Sequence, residues 1–83
     1  MKNELVLYTR KGCCLCEEMK EVIARSALRF PLSLEEFDVD SSGELQERFG
    51  NEVPVLFVDG RKAFKYRVSP KELEKKLKKK AGY

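Results

Sequence analysis

Positions 5–9 (Leu-Val-Leu-Tyr-Thr) form a mostly apolar, β-prone run that predicts a strand, and Lys11-Gly12 after it supply a turn. Leu15, Met19, Val22, Ile23 and Ala27 then recur at the spacing of one helical face. Phe30-Pro31 stops that helix, because proline lacks an N–H and biases the residue before it toward extended geometry. Leu32, Leu34, Phe37 and Val39 mark a second, less regular strand reaching Asp40, with a shift of face along it.

Ser41 and Glu44 stand at the spacing of a capping box, Leu45 and Phe49 share the face of the helix it would open, and Gly50 suits that helix's end. The apolar run 53–58 (Val-Pro-Val-Leu-Phe-Val) predicts a strand buried on both sides. Asp59-Gly60 is a favoured two-residue hairpin turn, with a return strand from Lys62 to Tyr66. In Ser69-Pro70-Lys71-Glu72, a capping serine, a proline at the first helical position and a glutamate three after the cap open a last helix, striped by Leu73 and Leu77. The order is β-α-β-α-β-β-α, an α/β class with a four-stranded mixed sheet flanked by three helices. The long connections permit parallel pairing among the first three strands, and the tight turn makes the last pair antiparallel.

Composition narrows the picture. A chain of 83 residues is expected to form one domain, residues 1–83, and its 42% hydrophobic content suffices for a core. No apolar stretch approaches the roughly 20 residues needed to span a bilayer, so no membrane partner is expected. Met1-Lys2-Asn3-Glu4 lead into the first strand without an apolar signal core, and a cytoplasmic location is expected. The net charge of +3 is concentrated in residues 71–80, where six lysines face two glutamates. That run reads as the solvated face of a helix, its cations suiting the helix C-terminus. With Tyr83 the only aromatic beyond it, no nucleic-acid interface is expected. The absence of histidine removes the usual general base near neutral pH and argues against hydrolase or Cys-His chemistry.

The chemistry is concentrated in Cys13, Cys14 and Cys16, the only cysteines of the chain. They fall where strand gives way to helix, and a helix's first turn offers unpaired N–H groups and partial positive charge. With Arg10 and Lys11 close by, such a place favours the thiolate, the nucleophilic form, and Cys13 is the best situated. Adjacent Cα atoms lie ~3.8 Å apart, below the usual disulfide window, so a Cys13–Cys14 bridge would be strained. Residues three apart on a first helical turn are neighbours, which makes Cys13 with Cys16 the workable pair. Cys14 reads either as an auxiliary thiol or as an ordinary exposed residue. A second class of function stays open: the three thiolates as a metal-binding or metal-carrier module, although a closed zinc site needs four ligands.

The segment 8–17, Tyr-Thr-Arg-Lys-Gly-Cys-Cys-Leu-Cys-Glu, together with Val53-Pro54, Phe37-Asp38-Val39-Asp40 and the order of elements, resembles glutaredoxins, and its Cys-x-Leu-Cys-Glu the glutaredoxin-like branch. The resemblance implies a thioredoxin-like fold and a small thiol–disulfide oxidoreductase, in which Cys13 attacks a substrate disulfide and Cys16 resolves the mixed disulfide. It implies that Pro54 is a cis-proline facing the cysteines and that Val53 offers its backbone to the substrate. No cofactor beyond the redox-active disulfide follows from it. The expected partners of this monomer are a protein disulfide and a thiol reductant, either glutathione or a disulfide reductase. Residues 65–70, Lys-Tyr-Arg-Val-Ser-Pro, stand where glutaredoxins usually carry Gly-Gly and an acidic residue. Lys11, Arg67, Ser69 and the N–H groups of the last helix are the candidate partners of a substrate carboxylate. The implied biological role is electron transfer in redox homeostasis.

Overall fold

The computed structural model describes residues 3–80; Met1, Lys2 and residues 81–83, with Tyr83, lie outside it. The elements are β1 (Asn3–Thr9), α1 (Cys14–Ala27), β2 (Leu32–Asp38), a 3-10 turn (Val39–Ser41), α2 (Gly43–Phe49), β3 (Val55–Val58), β4 (Arg61–Lys65) and α3 (Pro70–Lys80). Among these residues no helix is long and apolar enough to cross a membrane.

The strands form one sheet in the order β2-β1-β3-β4. β1 and β2 run parallel, in a register that sets Leu5 opposite Leu34 and Thr9 opposite Asp38. β3 does not take up the parallel pairing that the connections permit: it runs antiparallel to β1, with Tyr8 opposite Val55 and Leu5 opposite Val58. Length explains the reversal. The seven residues of α2 span about 10 Å, whereas the seven of β2 span about 23 Å, so α2 cannot carry the chain back to the end where β2 began. β3 therefore starts where β2 stopped, and the last pair is antiparallel as expected.

Local chemistry moves several boundaries. The second strand stops at Asp38, whose carboxylate accepts the Asp40 N–H at 2.8 Å and turns the chain into the 3-10 segment. Ser41 does not cap α2: its hydroxyl donates to the Asp38 carbonyl at 2.6 Å, and Ser42 occupies the cap without a side-chain bond. Gly50 does end α2, but in right-handed geometry with φ −53. Glycine is needed there because a Cβ would run into the Gln46 carbonyl. Pro54 has no N–H for the ladder, so β3 begins at Val55 rather than Val53. The Asp59-Gly60 turn forms as read, both residues at positive φ (51 and 85), but the return strand spans Arg61–Lys65 and Tyr66 leaves the sheet at φ 68.

One sheet face, carrying Leu5, Leu7, Leu56 and Val58, is covered by Met19 and Ile23 of α1 and by Leu73 and Leu77 of α3. On the other, Phe49 of α2 packs with Val39 and Val55 beneath Tyr8 and Phe57. The rings of Tyr8 and Phe49 stack at 4.5 Å, which fixes α2 over the end of β1 that leads to the cysteines. At α3 the expected cap is present, with Ser69 Oγ accepting the Glu72 N–H at 3.1 Å.

Candidate active site

The chain leaves β1 at Thr9, turns through Lys11 and Gly12 (φ 75), and enters α1 at Cys13, the N-cap residue. The extended backbone of Cys13 (φ −92, ψ 109) aims its sulfur back over the first turn. There Cys13 Sγ accepts the Cys16 N–H at 3.2 Å while its carbonyl accepts the Glu17 N–H at 3.2 Å. The sulfur thus occupies the place of a capping serine or aspartate oxygen, among the free N–H groups of the helix. Cys13 is half-buried, Cys14 exposed, and Cys16 is 1% exposed.

Burial pushes the Cys16 thiol up to about 11, and its hydrogen bond with Cys13 adds to the rise. The Arg10 backbone and the charge of Lys20 act in the opposite sense. Lys20 is held between Glu17 (3.5 Å) and Glu36 (3.7 Å), one helical turn beyond Cys16. The side chain of Arg10, expected to add positive charge beside the cysteines, instead pairs with Asp40 at 3.2 Å. Lys20 was missed in the sequence, although its spacing of four from Cys16 on a helix was the available signal.

The raised value carries a stability prediction for the reduced protein. The folded state keeps a proton that the unfolded chain, with an ordinary thiol near 9.0, releases sooner. Its contribution is therefore complete below about pH 9 and is lost as pH rises through about 11, by roughly 2–3 kcal/mol. Urea midpoints measured across this range should fall more for the wild type than for Cys16→Ser, and parallel curves would refute it.

Val53–Pro54 is a cis peptide, and Pro54 is buried. Since Val55 pairs with Tyr8, Pro54 lies at the same end of the sheet as the cysteines. The structure thus places Cys13, Cys16, Val53 and Pro54 at one end of the sheet. Lys11 is exposed in the preceding turn. Ser69 has its hydroxyl engaged by Glu72 on both sides, accepting from the N–H and donating to the carboxylate at 3.0 Å. Arg67 stands across a groove from α1. Beside it Tyr66, which sequence reading placed in a strand, ties the site together: its N–H donates to the Pro54 carbonyl at 2.9 Å and its hydroxyl to the Asn51 carbonyl at 3.1 Å. Among the described residues no three His, Cys, Asp or Glu side chains converge as metal ligands.

A helix-capping cysteine, a buried partner three residues on and a cis-proline at the same sheet end define a thiol-oxidoreductase-like module on a thioredoxin-like fold. Reduced desulfothioredoxin from Desulfovibrio vulgaris Hildenborough is similar over 96% of this chain and 82% of its own, with TM-score 0.69 and 27% identity. Protein Ne2328 from Nitrosomonas europaea is similar over 90% of this chain and 91% of its own, with TM-score 0.78 and 28% identity. In sequence, the glutaredoxin-like protein YDR286C homolog of Dictyostelium discoideum is 36% identical over 72 residues, 80% of this chain and 67% of that protein. The family described as Glutaredoxin-like domain (DUF836) matches residues 4–78, and the chain belongs to it.

Proposed function

We propose that this protein is a dithiol oxidoreductase that reduces protein disulfides through Cys13 and Cys16. The observation that carries this reading is the pair itself: Cys13 Sγ at the helix N-cap, bonded to the N–H of a Cys16 that is 1% exposed. Cys13 is half-buried whereas Cys16 is closed off from solvent, an asymmetry that supports giving Cys13 the first attack and Cys16 the second. The Cys13 thiolate attacks one sulfur of the substrate disulfide, forming a mixed disulfide and releasing the other sulfur as a thiolate. Cys16 then attacks Cys13 Sγ, its proton passing to the remaining substrate sulfur, which leaves as a thiol as the Cys13–Cys16 bond closes. Two electrons have passed to the substrate.

Burial keeps Cys16 protonated near neutral pH, so it does not compete as the first nucleophile. Val53 and Pro54 form the wall beside Cys13 against which an extended substrate backbone lies. Lys11 and Arg67 are the cations available to a substrate carboxylate, and the N–H groups at the start of α3, next to Ser69, supplement them. A thiol reductant, glutathione or a disulfide reductase, returns the pair to the dithiol. Cys14 lies outside the exchange steps.

The test is a redox titration of the purified protein with thiol counting and metal analysis on the same sample. A reversible two-electron couple, lost in Cys13→Ser and in Cys16→Ser, is the expected result. Stoichiometric metal without a Cys13–Cys16 disulfide would overturn it in favour of a thiolate metal module.

A further inference from the structure

Between α1 and residues 66–68 runs a groove of about 280 Å³. Its upper end belongs to the site already described: Leu15 follows Cys14 directly, and Tyr66 is bonded to the Pro54 carbonyl. Leu15 and Val22 contribute apolar surface to it, and the buried Met19 and Val68 line it behind them. Its volume falls below the range of roughly 300–1,000 Å³ usual for small-molecule sites, and suits a side chain or two of an extended polypeptide.

The loop wall has been kept at a cost. Tyr66 holds φ 68, a left-handed conformation that is unfavourable for a residue with a side chain. Its two hydrogen bonds to residues 51–54 fix it there, with 42% of its surface still exposed. The charges of the groove divide by wall. On α1, Glu21 and Arg25 pair with each other at 3.8 Å. Glu18, also on α1, and Arg67, on the loop, have no ion-pair partner among the described residues. An occupant matching this arrangement is apolar at its centre and acidic on the side facing Arg67, while Glu18 repels the reverse placement.

We infer that this groove receives the segment flanking the reacting cysteine of a protein disulfide substrate, seating one apolar side chain and pairing an adjacent acidic one with Arg67. The inference rests on the exchange function proposed above and names its substrate class. Such a substrate is held by contacts on both sides of the disulfide, which shortens the search for the in-line approach of Cys13 Sγ.

The experiment uses the reduced full chain in single-turnover mixing with synthetic peptides, each containing one internal disulfide flanked by Leu-Asp, Gly-Asp or Leu-Lys. A compensating residue at the far end keeps their net charge equal, and 2-hydroxyethyl disulfide serves as a substrate with no flanking segment. Leu-Asp should react roughly tenfold faster than Gly-Asp, the gain from burying one aliphatic side chain. It should react a few-fold faster than Leu-Lys, with Arg67→Glu reversing that order and Arg67→Lys restoring it. A reversal of preference cannot come from misfolding. Equal rates for all three peptides, alongside reduction of 2-hydroxyethyl disulfide, would overturn the groove assignment and leave disulfide exchange standing. If neither the peptides nor the small disulfide is reduced, the exchange function falls and this inference with it.

Discussion

Cys16→Ser is expected to accumulate a covalent adduct with disulfide substrates, whereas Cys13→Ser loses turnover by roughly three orders of magnitude or more, because a hydroxyl near neutral pH supplies almost no anion for the attack. The two variants separate the two steps. With Cys16 gone, Cys13 still sits at the N-cap among the free N–H groups and still reaches substrate, but nothing inside the protein expels the bound thiol. Cys14 remains as an exposed thiol in Cys13→Ser, and it does not rescue turnover: residues two apart on a helix point in different directions, so Cys14 cannot close onto Cys16. Mass spectrometry of the quenched reaction, without reductant, reads the adduct directly. An adduct formed equally by Cys13→Ser would transfer the nucleophile's role to Cys14 and refute the assignment.

Leu73→Ala should destabilise the fold by about 2–5 kcal/mol. An isolated helix of α3's length is marginal in water, and the exposed positions described along it are mostly charged. Its attachment rests on Leu73 and Leu77, both 0% exposed, with Val68 just before the helix. Loss of one anchor is large against the 5–15 kcal/mol that holds a typical domain together, and a chain of this size has a small core. The same loss would loosen residues 66–68 and with them one wall of the groove. Urea unfolding followed by circular dichroism checks the magnitude, and amide exchange in α3 its location. A loss under about 1 kcal/mol would mean that the site collapses around the smaller side chain.

Where the sequence was legible, the signal was local. Asp59-Gly60 sets its own backbone angles, and Ser69-Pro70 with Glu72 makes its own cap, so both elements stand within a residue or so of their expected places. The cysteine cluster was legible for a similar reason, since a strand-to-helix junction needs only its two neighbours to define it. The direction of β3 was not, because it depends on comparing the lengths of α2 and β2 in three dimensions. Ser41 misled because Asp38, three residues earlier, offers its carbonyl to the same hydroxyl, a competition that spacing does not reveal. Arg10 was placed correctly beside the cysteines, yet Asp40 draws its side chain away. Tyr66 escaped notice for the opposite reason: nothing in a tyrosine announces a left-handed backbone, which here is fixed by bonds to residues more than ten positions distant.

The antiparallel entry of β3 also sorts the molecule into two ends. Cys13 and Pro54 follow the C-terminal end of β1 and precede β3, while the Asp59-Gly60 turn lies beside Glu4, whose carbonyl accepts the Asp59 N–H at 2.7 Å. The length of β1, about 23 Å, separates them. Exposed positions at the turn, such as Gly60 and Arg61, are accordingly where this scaffold can acquire insertions, fused peptides or optical reporters while its reactive sulfurs keep their surroundings. Sequence drift at one pole and chemical constraint at the other can then proceed independently within the same small sheet.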